Sequence, residues 1–504
     1  MISDHLRSVA RRFPGELAIV DGGQRISFGE LLERVLVARD WLRKSLDPKP
    51  GDVIAVALDN SWQFAACLFA VSELGCALLP CNPQWRAAEL RAVAGRLGFR
   101  GAVVEPRLTA EWNQILDIVP SACVLSVESM PARYDLAASS PPPIDSVADD
   151  APAIYLPTSG STGVPRLVTR SHRNLMATVQ NVASSANIAP GRRFLSVVPF
   201  HYSNGFHNSL IVPLLSAATL VIMRQFSPGT CAELVHREQA DTLFGSPYIF
   251  GYLVDGVRHP SLLISLKYCY NAGARIPSGV VQRWRDRFSG SIRQSYGMSE
   301  AGLITMQRTE EAPESSIGSY IGEPLCGVEV VVLGSDDQCL EPGERGELAV
   351  RSASVMSGYF GQPDLTRGLF HNGFFRTGDL GCFDSAGQVH LIGRMGRVIN
   401  IAGVKVDPGE VERAVEMLPN VASCHVDAVL NGRGGEVVRA RVVPRDGLQV
   451  TRREVIEQCR RQLAEYKIPR VIEFLEGTPI TIAGKTPRRG APGAASGDQP
   501  PGSR

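Results

Sequence analysis

At 504 residues the chain exceeds one ordinary hydrophobic core, so several packed units are expected, roughly three by size alone. Hydrophobic residues make up 44% and charged residues 20%, with 52 basic against 51 acidic side chains, the balance of a soluble globular protein. A net charge of +1 and no Lys/Arg run in the body of the chain exclude a nucleic-acid footprint.

The N-terminal stretch "MISDHLRSVARRFPGELAIV" has no long apolar region, so neither a signal peptide nor a membrane anchor is expected there. "LAIVDG" reads as a strand. In "SFGELLERVLVARDWLRKSL", Leu31, Leu32, Val35, Leu36 and Leu42 recur at helical spacing after a Ser27 cap. "DVIAVAL" then leads into "SWQFAACLFAVSELG", and "CALLPCN" into "RAAELRAVAGRLG". These strands are apolar enough to be buried on both faces, which favours a parallel α/β sheet. A second series, "IYLPTSG", "FLSVVPF", "ATLVIM", "DTLFGSP" and "LKYCYNAGA", predicts a second sheet of the same kind. "SLIVPLLSAATLVIM", broken by Pro213, is too short to span a bilayer and reads as buried helix and strand.

From about residue 320 the texture changes to short strands and Gly/Asp turns without helical runs, as in a small β-barrel or meander spanning about 320–393. Near Val398 a third texture begins: "EVERAVEML" and "RREVIEQCRRQLAEY" alternate with "HVDAVL" and "RARVV", predicting a separate α+β domain over 396–488. Residues 489–504, rich in Pro, Gly and Ser, should be disordered. The 11 cysteines are odd in number and never spaced C-x-x-C, so they read as reduced core residues of a cytosolic protein. No histidine or cysteine spacing suits a metal site built from those residues.

The chemistry-bearing stretch is "YLPTSGSTGVPR", where Thr158, Ser159, Ser161 and Thr162 crowd around Gly160 and Gly163. Glycines let backbone N–H groups turn inward and the hydroxyls add donors, a composition suited to several phosphate oxygens. The Walker spacing is absent, and a plain surface turn has the same composition, so this loop alone leaves both readings open. The rest of the chain supplies, in order, "PFHYSNGF", "NAGARIP", "QSYGMSE", "RTGDLG", "GRMGRVINIAGVKVDPGEVE", "EYKIPRVIEF" and "TPITIAGKTPR". The whole series, from about residue 10 to Arg488, resembles the adenylate-forming superfamily of acyl-CoA synthetases, peptide-synthetase adenylation domains and beetle luciferase.

That resemblance implies a large N-terminal domain, residues 1–395, of two α/β sheet subdomains and the β-rich one, with a mobile C-terminal domain. It implies joining of a carboxylic acid to AMP, with ATP and Mg²⁺ required, followed by transfer to a thiol. Thr158, Ser159, Gly160, Ser161, Thr162 and Gly163 would fold over the β- and γ-phosphates, assisted by Arg166 where the family usually has lysine. Asn271, Ala272, Gly273 and Ala274 would lie along the adenine, and Tyr296, beside Gly297, would stack on it. Ser299 would contact the α-phosphate, and Glu300 would hold Mg²⁺. Asp379 would accept from the ribose hydroxyls, and Arg394 would contact ribose and phosphate. Lys485 matches the lysine bridging carboxylate and α-phosphate, and Gly396 stands where the family's hinge commonly has Asp or Lys.

His201 matches the aromatic gate near the carboxylate, and Asn204, Phe206, His207 and Tyr248 are candidate pocket residues, with core packing an equal reading for Phe206 and Tyr248. No acid follows the histidine motif, which disfavours an α-amino acid because its buried ammonium would be unpaired. An aryl or short functionalised acid is favoured. Coenzyme A is the first acceptor and the phosphopantetheine of a carrier protein the second. A catalytically idle adenylate binder is the reading from another class, kept open by the Arg166 and Gly396 departures.

Overall fold

The protein is described by a computed structural model covering residues 1–85, 87–114, 123–131, 147–158, 166–308, 320–395, 399–401, 404–406, 408–430, 436–463 and 465–475. Two sheets carry the large N-terminal domain. One has seven strands, in the order Gly358–Tyr359, Arg166–Ser171, Pro152–Thr158, Ala77–Pro80, Val53–Ala57, Gly101–Val104, Cys123–Ser126. From Pro152–Thr158 onward neighbours are parallel, and the central Val53–Ala57 strand is buried at every position. Both faces are covered, as its unbroken apolar run requires.

The second sheet places Leu17–Asp21, Thr219–Ile222, Arg193–Ser196, Thr242–Gly245, Tyr268–Asn271 and Ile292–Met298 side by side and parallel. Its membership departs from the grouping expected from chain order. "LAIVDG" joins the second sheet through Ile19↔Leu220, whereas "IYLPTSG" joins the first through Leu78↔Ile154. Each strand is legible locally, but apolar runs alone do not say which of two similar sheets a strand enters.

The β-rich region continues from this second sheet. Gly302–Met306 folds back on Ile292–Met298 and pairs with Tyr320–Pro324, which pairs with Val389–Arg394 and so on to the edge strand Glu329–Leu333. The region is antiparallel as expected, but a short helix, Pro363–Arg367, interrupts it where Pro363 starts a turn. Helix Phe28–Leu46 starts at the expected cap: Ser27 Oγ accepts from the Glu30 N–H at 3.2 Å, while Glu30 Oε2 accepts from the Ser27 N–H at 2.8 Å. "SLIVPLLSAATLVIM" is buried helix and strand, ending in Thr219–Ile222. No helix among the described residues is long and apolar enough to cross a membrane.

The smaller C-terminal domain has its own core, with Val411, Val415, Val438 and Val455 each fully buried between a three-stranded sheet and two helices. An ion pair from Arg275 Nη2 to Glu416 Oε2, 2.5 Å, ties it to the N-terminal domain. All 11 cysteines are free, and seven are buried, but Cys123, Cys326 and Cys339 are exposed, which corrects their assignment to the core. Cys123 lies on the edge strand Cys123–Ser126, Cys326 in a turn, and Cys339 in a single bridge to Leu333 beside the edge strand Glu329–Leu333.

Candidate active site

The Ser/Thr/Gly loop joins the strands Pro152–Thr158 and Arg166–Ser171, which are antiparallel with Thr158 opposite Arg166. Thr158 Oγ1 donates to the Arg166 carbonyl at 3.3 Å, closing the base of the loop. The loop's own Ser159, Gly160, Ser161, Thr162 and Gly163 lie outside the described residues, as do Gly396 and Lys485.

From this base the Arg166 guanidinium lies over the Tyr359 ring, 5.4 Å from its centroid. The Tyr359 hydroxyl donates to Glu300 Oε1 at 2.7 Å. Burial and the Glu300 charge push the Tyr359 phenol up, so it stays a donor. Arg166, Tyr359 and Glu300 thus form one continuous contact from the loop to the acid expected to hold the metal. Sequence reasoning passed over Tyr359. Its only signal is the "SGYF" step, and the decisive fact is pairing of Gly358–Tyr359 with the strand after the loop, Tyr359 opposite Val168.

Glu300 sits in the turn between Ile292–Met298 and Gly302–Met306. Gly297 is required there, because a Cβ would lie 2.4 Å from the Gly302 carbonyl oxygen. The Glu300 carbonyl accepts from the Met356 N–H at 2.7 Å, fixing the turn from the far side. The single carboxylate with a neutral donor on one oxygen suits Mg²⁺, a hard ion that takes one or two carboxylates and completes its shell with water and phosphate oxygens. Among the described residues no group of three or more His, Cys, Asp or Glu side chains gathers as a protein-only cage.

Asp379 opposes Arg394 across antiparallel strands, with 3.5 Å from Arg394 Nε to Asp379 Oδ1. Its Oδ2 accepts the Tyr296 hydroxyl at 2.6 Å. Burial raises the Asp379 carboxyl, opposed by the tyrosine hydrogen bond and Arg394. Tyr296, expected to stack on adenine, is therefore also bonded to the expected ribose acceptor, a link that motif spacing does not contain. Asn271 ends the Tyr268–Asn271 strand, and its Nδ2 donates to the Ala274 carbonyl at 2.8 Å and to Gln294 Oε1 at 2.9 Å. Those bonds fix the turn in which Gly273 and Ala274 are exposed and Ala272 is buried. Ser299 contributes its carbonyl to the Arg170 guanidinium at 3.0 Å.

On the other side of the site, His201 packs against Tyr202, ring centroids 4.2 Å apart, and burial drops its imidazole to about 3. A π-helix, Gly205–Ile211, follows. Gly205 permits it, since a Cβ there would lie 2.2 Å from the Pro199 carbonyl oxygen. π-turns often mark functional positions. Asn204 precedes its first residue and His207 lies buried in its first turn, while Phe206 is fully buried in the main core, in line with its packing reading. Tyr248 lies on helix Pro247–Gly256 against the Tyr252 ring at 4.3 Å, and their hydrogen bond pushes its phenol up to about 12.

The strand after the Ser/Thr/Gly loop thus contacts Tyr359 and through it Glu300, whose charge in turn acts on Asp379, so residues of four separate segments lie close together. The family described as AMP-binding enzyme matches residues 6–360, and its C-terminal domain matches residues 410–485. The chain belongs to the AMP-binding enzyme family. It is 30% identical over 479 residues to a feruloyl-CoA synthase of an Amycolatopsis species, covering 94% of this chain and 95% of that protein. It is 28% identical over 508 residues to an oxalate–CoA ligase of Arabidopsis thaliana, covering 97% of each. Among solved structures it superposes with the amide bond synthetase McbA from Marinactinospora thermotolerans at a TM-score of 0.85 and 27% identity, covering 96% of this chain and 98% of that one. ATP-bound MatB from Rhodopseudomonas palustris shares the fold at a TM-score of 0.87 and 24% identity, over 96% and 97% of the two chains.

Proposed function

We propose that this chain is an AMP-forming acid–thiol ligase, activating a carboxylic acid with ATP and passing the acyl group to coenzyme A. A carboxylate oxygen of the acid attacks the α-phosphorus of ATP, pyrophosphate leaves, and an acyl-adenylate remains. The thiol sulfur then attacks the acyl carbonyl, AMP leaves, and the thiol proton passes to solvent. The observation that carries this reading is the proximity of Arg166, Tyr359, Glu300 and Asp379, from four separate segments: the first three are in contact and the Glu300 charge acts on Asp379.

In this reading Thr158, the 159–163 loop and Arg166 hold the departing pyrophosphate, where charge and donors must be in place before the bond breaks. Glu300 holds Mg²⁺, which supplies charge neutralisation on the phosphates. Asp379 and Arg394 fix the ribose, Tyr296 and residues 271–274 the adenine, and Ser299 the α-phosphate. His201, neutral at working pH, borders the carboxylate without competing for it as a cation. Lys485 bridges carboxylate and α-phosphate from the C-terminal domain, and Gly396 serves as the hinge. Relatives named for coenzyme A support that acceptor over a carrier protein. A cytoplasmic location, with ATP at hand, belongs to the same reading.

ATP–pyrophosphate exchange over a panel of aryl and short functionalised acids tests the first half, and thioester formation with coenzyme A the second. Exchange with at least one acid and thioester with coenzyme A are expected. No exchange with any acid would return the chain to an idle adenylate binder.

A further inference from the structure

Arg170 is fully buried, yet no carboxylate lies within ion-pair distance of it among the described residues. Its Nη2 donates to Thr178 Oγ1 at 2.8 Å and to the Asn174 carbonyl at 3.4 Å, and its Nη1 donates to the Ser299 carbonyl at 3.0 Å. The remaining neighbour of Nη1 is His207 Nε2 at 3.5 Å. A guanidinium only donates, so the nitrogen facing it must be the imidazole's lone pair. A neutral imidazole has one N–H, which this geometry puts on Nδ1.

His207 Nδ1 lies 3.1 Å from Ser203 Oγ, and the Ser203 backbone carbonyl, which can only accept, faces the same ring. Both surroundings fix the same tautomer. Burial and the Arg170 charge hold His207 well below the ordinary histidine range, so it stays neutral. The Ser203 hydroxyl therefore cannot donate to His207 and keeps its hydrogen for another partner. Arg170 and His207 are buried, and Ser203 is the one member of the series that is partly exposed. Asn204 beside it, also partly exposed, has the same polarity: its Oδ1 accepts from Asn208 Nδ2 at 2.9 Å.

We propose that Ser203, oriented through His207 by the buried Arg170, is a specificity-determining donor that reads an acceptor oxygen on the body of the acid, distal to the reacting carboxylate. This rests on the activity proposed above. The ligand chemistry is an oxygen with a free lone pair, whether a neutral hydroxyl or ether oxygen or a second carboxylate. A methyl in its place would leave the Ser203 hydroxyl without that acceptor, the kind of mismatch that polar sites reject.

The test is exchange kinetics on matched acids: methoxy- or hydroxy-benzoates against methyl-benzoates of the same shape, and short dicarboxylic acids against their monocarboxylic counterparts. The oxygen-bearing member of at least one pair should be preferred by about tenfold or more in kcat/KM. Ser203→Ala should erase that preference with KM for ATP unchanged, and Ser203→Thr, which keeps the hydroxyl, should restore it. Preference in the first set identifies a neutral acceptor, and in the second an anionic one. Nitrogen-15 spectra of histidine-labelled protein, with His207 assigned by its loss in His207→Gln, should show the Nδ1–H tautomer. An Nε2–H tautomer, equal rates within every pair, or a preference that survives Ser203→Ala would overturn the inference. Exchange with no acid at all would overturn the activity reading, and this one with it.

Discussion

Two carboxylates on the proposed nucleotide side of the site, Glu300 and Asp379, are each met by a tyrosine hydroxyl, at 2.7 and 2.6 Å. The side holding His201, Ser203 and His207 contains instead neutral imidazoles and, behind them, the buried cation Arg170. The difference follows from what each side must hold. In the proposed function a metal and ribose hydroxyls need ionised acceptors, which the tyrosine hydrogen bonds favour and, at Asp379, the Arg394 charge as well. A carboxylate substrate needs the opposite: no competing anion, and donors whose hydrogens are already directed outward. Hydrogen bonds to charged groups are worth roughly 1.5–3 kcal/mol against about 1 for neutral pairs, so losses on the nucleotide side should be the larger.

The largest effect is expected from Glu300→Gln, which leaves the Tyr359 bond possible but removes the charge. Acyl-adenylate formation should fall by about 10²–10³-fold, the range for losing one preorganised electrostatic contact, and added Mg²⁺ should not restore it. Unchanged exchange would remove Glu300 from the metal site. Next comes Asp379→Asn. It keeps the shape and a weaker acceptor for Tyr296 but should raise KM for ATP by roughly tenfold to a hundredfold, with little change in KM for the acid. Equal rises in both would mean that the variant disturbs the cleft as a whole.

Tyr359→Phe is a finer probe of the same side. Losing one hydrogen bond to Glu300 should lower kcat/KM for ATP by roughly five- to twentyfold, less than Glu300→Gln. If the two variants match, Glu300 acts only through Tyr359 and the metal assignment fails.

A separate effect, confined to acid pH and without consequence for activity near neutrality, is expected on stability from His201. His201 is dropped to about 3 by burial, against an ordinary value of 6.5. The unfolded chain therefore binds a proton that the folded chain refuses between those two values. Stability from this residue is complete above pH 6.5 and declines as pH falls toward 3. Denaturant unfolding of His201→Asn should show a shallower loss over that window than the parent chain. Parallel curves would mean that the ring is hydrated after all.

The sequence by itself determined the local parts. Alternating apolar runs, the Ser27 cap and the Gly-rich turns specify strands, helix starts and loops through neighbours a few residues apart, and those elements stand where the periodicity put them. The order of motifs likewise carried the family and named Glu300, Asp379 and Arg166, because those residues lie inside short recognisable stretches. The tertiary structure alone decided how the parts meet. Leu17–Asp21 pairs with Thr219–Ile222 across two hundred residues, and nothing in either run prefers that partner to a strand of the other sheet. Tyr359 reaches Glu300 only because its two-residue strand adds to the strand after the phosphate loop. Arg170 lies in no motif, and its place emerges only when His207, Thr178 and Ser299 are seen to enclose it. Periodicity encodes which face of an element is buried. Which donor meets which acceptor depends on long-range register, and a single chain does not print that along its length.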